Sequence, residues 1–300
     1  MTRGGKARAG EVLRALVRGL RAFAYSQPAS RASAARPRLG FALGGGFARG
    51  LAHIGVLKVL VENQIPIDAL SGVSAGAIAA AAFAGGRSIE EMIEKSRHIR
   101  WRQFARWTFP RMGFASNQRL ETMLREILPC SNFECLRIPV AIVATDLSTG
   151  EAVVFRDGDL LRALRASSTF PGLFAPVEYE GRWLVDGALA ASVPVAALGY
   201  FNVNKVVAVH LNGPLRPRPT NFFQVVGQAF QIAQSRAEST WKPECDLVIT
   251  PDVGDFRWDD FECCDGLVEA GERATREALP ALRALIQPSR EPVPTLVPAR

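Results

Sequence analysis

The chain has 300 residues, 48% of them hydrophobic, enough to bury the core of one large domain or two small ones. Five cysteines, an odd number with no Cys-x-x-Cys pair, and only three histidines argue against a metal site built from Cys and His and predict reduced, structural thiols. The net charge of +7 is unevenly placed: residues 1–38 carry nine Arg and Lys against the single acid Glu11, so the basic balance belongs to an N-terminal arm and the rest is near neutral.

Within the arm, Val12, Leu13, Leu16, Val17, Leu20 and Phe23 form an apolar stripe interleaved with Arg14, Arg18 and Arg21. Two readings are open: peripheral contact with an anionic membrane through residues 11–25, or an ordinary docking helix with solvated arginines. The arginines interrupt every apolar run, which disfavours a secretory signal, and no segment reaches the roughly 20 apolar residues that span a bilayer. The expected location is cytoplasmic, peripheral to a membrane where the arm touches one. A polar linker over residues 27–37 then leads into the body.

The body opens with a strand over residues 38–43, a glycine turn Gly44-Gly45-Gly46-Phe47-Ala48-Arg49-Gly50, and a helix over 51–62. A glycine turn between strand and helix points backbone N–H groups and the helix dipole at an anion, either a phosphate or the oxyanion of an acyl transfer. The phosphate readings fit poorly, because Arg49 stands where a dinucleotide fingerprint needs glycine and no Gly-Lys-Ser/Thr follows. A buried strand over 65–70 leads to Gly72-Val73-Ser74-Ala75-Gly76 and an alanine-rich helix over 75–84. The Gly-x-Ser-x-Gly frame is that of a nucleophile elbow, in which a strained turn projects the serine hydroxyl and the flanking glycines avoid collision.

Helices are expected over 88–100 and 117–128, and from 266 to 286. Between the first two, Trp101, Phe104, Trp107, Phe109, Met112 and Phe114 alternate with arginines; the stretch reads as core or as a lid over an acyl-chain pocket, and nothing else in the chain supports nucleic acid. Strands are expected over 139–145, 183–185, 206–210 and 246–249. The alternation predicts an α/β three-layer sandwich with a mostly parallel central sheet, arranged as an arm and linker (1–37), one catalytic body (38–286) and a proline-rich tail (287–300). Ser74 needs a base. The order Ser74–Asp186–His210 allows a triad, while Asp186 alone, in Leu184-Val185-Asp186-Gly187-Ala188, can present a carboxylate at a strand end. His53 and His98 read as packing or surface residues.

Three blocks together resemble the patatin-like phospholipase family: Gly-Gly-Gly-Phe-Ala-Arg-Gly at 44–50, Gly-Val-Ser-Ala-Gly at 72–76 and Asp-Gly-Ala at 186–188. The stretches 144–150 and 166–174 are similar to the bacterial branch of that family. The resemblance covers roughly residues 38–285 and implies a Ser–Asp dyad without histidine: Ser74 as nucleophile, Asp186 as base, the amides of Gly44, Gly45 and Gly46 as oxyanion hole, and Arg49 as a brace for that loop. It implies hydrolysis of a lipid ester with no metal or organic cofactor; a triad esterase using His210 and a non-catalytic lipid-binding module are the alternatives. Two departures from the family pattern are Ala188, where the family often has glycine, and Ser192, where asparagine is common.

Overall fold

The computed structural model describes residues 36–100, 117–211, 213, 218–219 and 222–287. The arm, most of its linker, the aromatic stretch at 101–114 and the tail from 288 lie outside the described residues. Eight strands form one sheet: β1 Leu39–Leu43, β2 Ala69–Gly72, β3 Val140–Asp146, β4 Ala152–Phe155, β5 Val177–Tyr179, β6 Arg182–Asp186, β7 Lys205–Val209 and β8 Leu247–Ile249. Five of them run parallel in the order β3-β2-β1-β7-β8, and β4 and β6 add antiparallel to β3, with β5 beyond β6. Among the described residues the helices are α1 Ala52–Glu62, α2 Ala75–Ala84, α3 Ile89–Arg97, α4 Asn117–Ile127, α5 Leu160–Ser167, α6 Phe222–Arg236, α7 Glu238–Trp241 and α8 Cys264–Leu285.

The parallel strands read as unbroken apolar runs because both sheet faces are covered. On one face Leu39, Phe41 and Leu43 join the main core, to which α1, α2 and α8 contribute Leu57, Ala80 and Leu267. On the other, small residues such as Ala42, Ala69 and Ala208 let Val193, Val195 and Leu198 lie directly on the sheet, with Trp241 at the margin. The third layer is therefore thin, a 3-10 turn at Ala196–Tyr200 and the four-residue α7 in place of long helices.

Several boundaries differ from expectation. β2 begins at Ala69; before it, the Asp68 carboxylate accepts the Leu39 N–H at 2.8 Å, fastening the lead-in to β1 by a side chain. The glycine loop enters α1 through a 3-10 turn at Phe47–Leu51, and helices α5, α6 and α7 are additional to those expected. The expectation that all cysteines stay reduced is corrected: Cys130 and Cys135 are bridged, whereas Cys245, Cys263 and Cys264 are free. The 3-10 turn at Phe133–Cys135 holds the bridged pair at a Cα–Cα distance of 6.5 Å, within the range a disulfide spans.

The α1–α8 crossing depends on two glycines. A Cβ on Gly55 would sit 1.9 Å from the Val268 carbonyl oxygen, and one on Gly271 would sit 2.0 Å from that of Ala52. Backbone on the far side cannot yield as a side chain would, so Gly55→Ala should lower the unfolding free energy by about 3 kcal/mol in urea titration. Gly199→Ala, whose Cβ meets nothing within 4 Å, should leave the midpoint in place.

Candidate active site

Parallel pairing of β1 with β2, in register from Gly40↔Ala69 to Leu43↔Gly72, brings the glycine loop and the Ser74 turn to the same edge of the sheet. Ser74 adopts φ 53° and ψ −124°, a strained conformation for a residue with a side chain, directly before α2. The flanking glycines are sterically required: a Cβ on Gly76 would lie 2.3 Å from the Leu43 carbonyl oxygen, and one on Gly72 2.5 Å from Ala77 Cα. The Ser74 N–H donates to Ser167 Oγ at 2.9 Å, and that hydroxyl donates to the Val143 carbonyl of β3 at 2.6 Å. Ser167, at the end of α5, thus ties the turn to the third strand. The stretch at 166–174 was distinctive in sequence, but nothing in it assigned this task to Ser167.

Asp186 ends β6 and is buried, at 3% exposure. Its main chain is held on both sides, its N–H donating to Thr169 O at 2.8 Å and its carbonyl accepting Thr145 Oγ1–H at 2.8 Å. The carboxylate accepts the Ala188 N–H at 2.9 Å and lies beside the Ser74 hydroxyl. Burial pushes its pKa up to about 6 from an ordinary 3.8, against the pull of those two donors, which favour the charged form.

The glycine loop is only partly available. Gly44 N–H donates to Val209 O at 3.0 Å and Gly45 N–H to Ser192 O at 3.2 Å, so two of the three amides expected to face an oxyanion are spent on backbone partners. The reason is topological: Gly44 continues the β1–β7 ladder, and the segment after Asp186 passes alongside Gly45. Among the described residues the amides of Gly46 and of Ala75, the residue after Ser74, carry no such bond. Ser192 itself is buried, its hydroxyl accepting the Trp241 indole N–H at 3.1 Å.

Arg49 is buried beside the loop and donates twice to the Phe256 carbonyl, from Nε at 3.0 Å and Nη2 at 2.8 Å. The Ala48 N–H bonds Trp258 O at 2.9 Å, so the turn after the glycines is clamped to the 256–258 segment. His53 is fully buried; burial lowers its pKa to about 4, and its neutral ring donates Nε2–H to the Gly44 carbonyl at 2.8 Å. His210 does not join the group. Its Nε2 lies 3.7 Å from Glu238 and its ring meets Trp241 edge-on, whereas the next residue, Leu211, faces the cavity beside Ser74. His98 lies on the surface, bonded to Glu94.

Two open cavities meet at Ser74. One is walled by Ile54, Ile78, Met92, Leu120, Met123 and Phe174, with Arg87 and Lys95 also on its lining. The other contains Asp186, Gly46 and Arg49 and is faced by α6 and Trp258. Among the described residues no group of three or more His, Cys, Asp or Glu is placed to hold a metal ion, and no helix is long and apolar enough to cross a membrane.

This is an α/β fold with a mostly parallel central sheet and a serine elbow beside a buried aspartate. Residues 41–198 match the family model described as patatin-like phospholipase, more than half of the chain, and the chain belongs to that family. An uncharacterised NTE family protein of Mycobacterium tuberculosis is 39% identical over 180 residues, covering 59% of this chain and 50% of that protein. A second from the same organism is 30% identical over 277 residues, covering 83% and 48%. A Cryptococcus neoformans protein named lysophospholipase NTE1 is 29% identical over 178 residues, covering 57% of this chain and 11% of that protein. The chain spans about half the length of the two mycobacterial relatives.

The raised pKa of Asp186 has a thermodynamic sign. The folded state holds this proton more tightly than the unfolded chain, so the carboxyl favours folding at low pH, and that contribution is lost as pH rises through about 6. The gap between 3.8 and about 6 is worth on the order of 3 kcal/mol. Asp186→Asn should therefore raise the unfolding free energy by about 2–3 kcal/mol near pH 7.5, with most of the gain gone near pH 4, read from urea titrations of both proteins.

Proposed function

We propose that the chain is a serine acyl hydrolase that cleaves lipid carboxylic esters of the phospholipase A or lysophospholipase type through an acyl-enzyme. The observation that carries the reading is the convergence of Ser74, on its strained turn, and the buried Asp186 carboxylate on the lining of one cavity. Family membership and the relative named lysophospholipase support a lipid ester as substrate.

In this reading Ser74 Oγ bonds to the ester carbonyl carbon while its proton passes to Asp186. The carbonyl electron pair moves onto oxygen, and the Gly46 and Ala75 amides stabilise the charge that develops there. Collapse breaks the ester C–O bond, and Asp186 returns its proton to the departing alcohol. Water then attacks the acyl-enzyme, giving its proton to Asp186 and its oxygen to the acyl carbon. Release of the fatty acid restores the Ser74 hydroxyl with that proton. The apolar cavity beside Ala75 and Ile78 suits the acyl chain. Arg49 and His53 act as braces, holding the loop through Phe256 and Gly44.

Ser74→Ala and Asp186→Asn should each lower kcat/KM on a lysophospholipid by roughly 1000-fold or more, with His210→Gln close to wild type. A triad would instead make His210→Gln as damaging as Ser74→Ala. The wild-type kcat/KM should fall about tenfold per pH unit below about 6, where Asp186 becomes protonated, and level off above it. A fluorophosphonate that fails to label Ser74 in folded protein would favour a non-catalytic lipid-binding module.

A peripheral membrane contact through residues 11–25 belongs to the same reading, since a basic arm with an apolar stripe suits an anionic lipid surface. Cosedimentation with anionic vesicles tests it: a chain lacking residues 1–35 should stay in the supernatant where the full chain pellets.

A further inference from the structure

The cavity on the Asp186 side has a wall of unusual composition. α6 turns Gln224, Gln228, Gln231 and Gln234 into it, at spacings of four, three and three residues that keep them on one side of a helix. The same helix leaves Phe222 and Val225 more than half exposed, at 57% and 52%. Val226 and Phe230 seat the helix on the core, so its glutamines line the cavity while Phe222 and Val225 face outward. Gly227 keeps the cavity open beside the Trp258 ring, and Phe230 packs against Phe170 at 5.1 Å. α6 also packs against the 187–189 turn that follows Asp186, which fixes its distance from the dyad.

We propose that this wall is the subsite for the leaving alcohol and that it selects a glycerol carrying a free hydroxyl next to the scissile ester. The inference rests on the ester-hydrolase reading above. A glutamine amide offers both a donor and an acceptor, and a hydroxyl is the ligand group that uses both. A phosphate only accepts and a quaternary ammonium does neither. A site shaped chiefly for phosphate would present arginine or lysine, whereas the cation lining this cavity, Arg49, spends Nε and Nη2 on the Phe256 carbonyl. Gln231 Nε2 donates to the Gly213 carbonyl, which holds that side chain in place. No hydrogen bond within the described residues occupies the Gln228 and Gln234 amides, and these two are assigned to the substrate. With the acyl chain in the apolar cavity, the ester carbonyl falls at Ser74, and the alcohol enters the side from which Asp186 returns a proton.

The test compares three esters of one fatty acid: a monoacylglycerol, the matching lysophosphatidylcholine, and the 2-deoxy analogue of that lysophosphatidylcholine, which lacks the free hydroxyl. Wild type should favour both hydroxyl-bearing esters over the deoxy analogue by about tenfold in kcat/KM, the scale of two neutral hydrogen bonds. In the Gln228→Leu/Gln234→Leu protein that preference should shrink to within about twofold. Wild type that does not distinguish the deoxy ester, a double variant that keeps the full preference, or a preference that follows phosphocholine instead of the hydroxyl would each overturn the assignment. Fluorophosphonate labelling of Ser74 and turnover of the deoxy ester separate this outcome from failure of the ester-hydrolase reading, in which neither is seen. Circular dichroism and the labelling rate of the double variant guard against loss of fold.

Discussion

The Val143 carbonyl, inside β3, sits under both halves of the site. It accepts the Ser167 hydroxyl, which in turn accepts the Ser74 N–H, and it lies where a Cβ on Gly187, the residue after Asp186, would come within 2.0 Å. One rigid strand therefore sets where the serine turn and the aspartate turn can be. A left-handed φ at Ser74 costs on the order of 1–3 kcal/mol and persists only where its surroundings over-determine it. Those surroundings are the parallel register of β1 with β2, the close passage of Gly76 over Leu43, and the Ser167 bridge.

Electrostatics follow from the same placement. β6 runs antiparallel to β3, with Ala144 opposite Asp186, so the aspartate emerges where the sheet and α5 close over it. Its backbone bonds to Thr169 and Thr145 remove the freedom to swing toward water. A carboxylate denied water is a stronger base, and the residual donors, Ala188 N–H and Ser74 O–H, keep it from becoming too weak an acid to ionise near neutrality. The glycine loop is braced from the opposite direction. His53 holds the Gly44 carbonyl while Ser192 holds the Gly45 N–H, two ends of one peptide plane, which leaves the next plane, with Gly46 N–H, to the cavity.

What could be read in the sequence was local backbone need. Gly72, Ser74 and Gly76 announce a turn with no room for side chains, and Asp186-Gly187 announces a strand end, because both demands are met within a few residues. The committed amides could not be read there. Gly44 and Gly45 lose their N–H groups to Val209 and Ser192, partners that only the sheet order brings near. α6 is illegible in the sequence for another reason: Gly227 and four inward glutamines weaken the apolar period that marks a helix, while Phe222 and Val225 point outward. The Cys130–Cys135 bridge was hidden by an odd cysteine count, since the 3-10 turn at 133–135, and not spacing, decides that pairing.

A single carboxyl can serve a two-step acyl transfer only if it is neither too weak a base to take the serine proton nor too weak an acid to give it to an alcohol. At its ordinary 3.8 Asp186 would fail the first demand, and burial to about 6 narrows the gap to the serine hydroxyl while leaving the carboxylate dominant at neutral pH. In the proposed mechanism the proton it takes is then held by a neutral, buried acid facing the cavity that α6 lines with amides. An alcohol anchored there by its own hydroxyl, as proposed, would present its ester oxygen to that acid throughout the collapse of the tetrahedral intermediate. In that mechanism, the burial that weakens the fold at neutral pH is thus the same feature that lets one aspartate, without a histidine, act first as base and then as acid within each half-reaction.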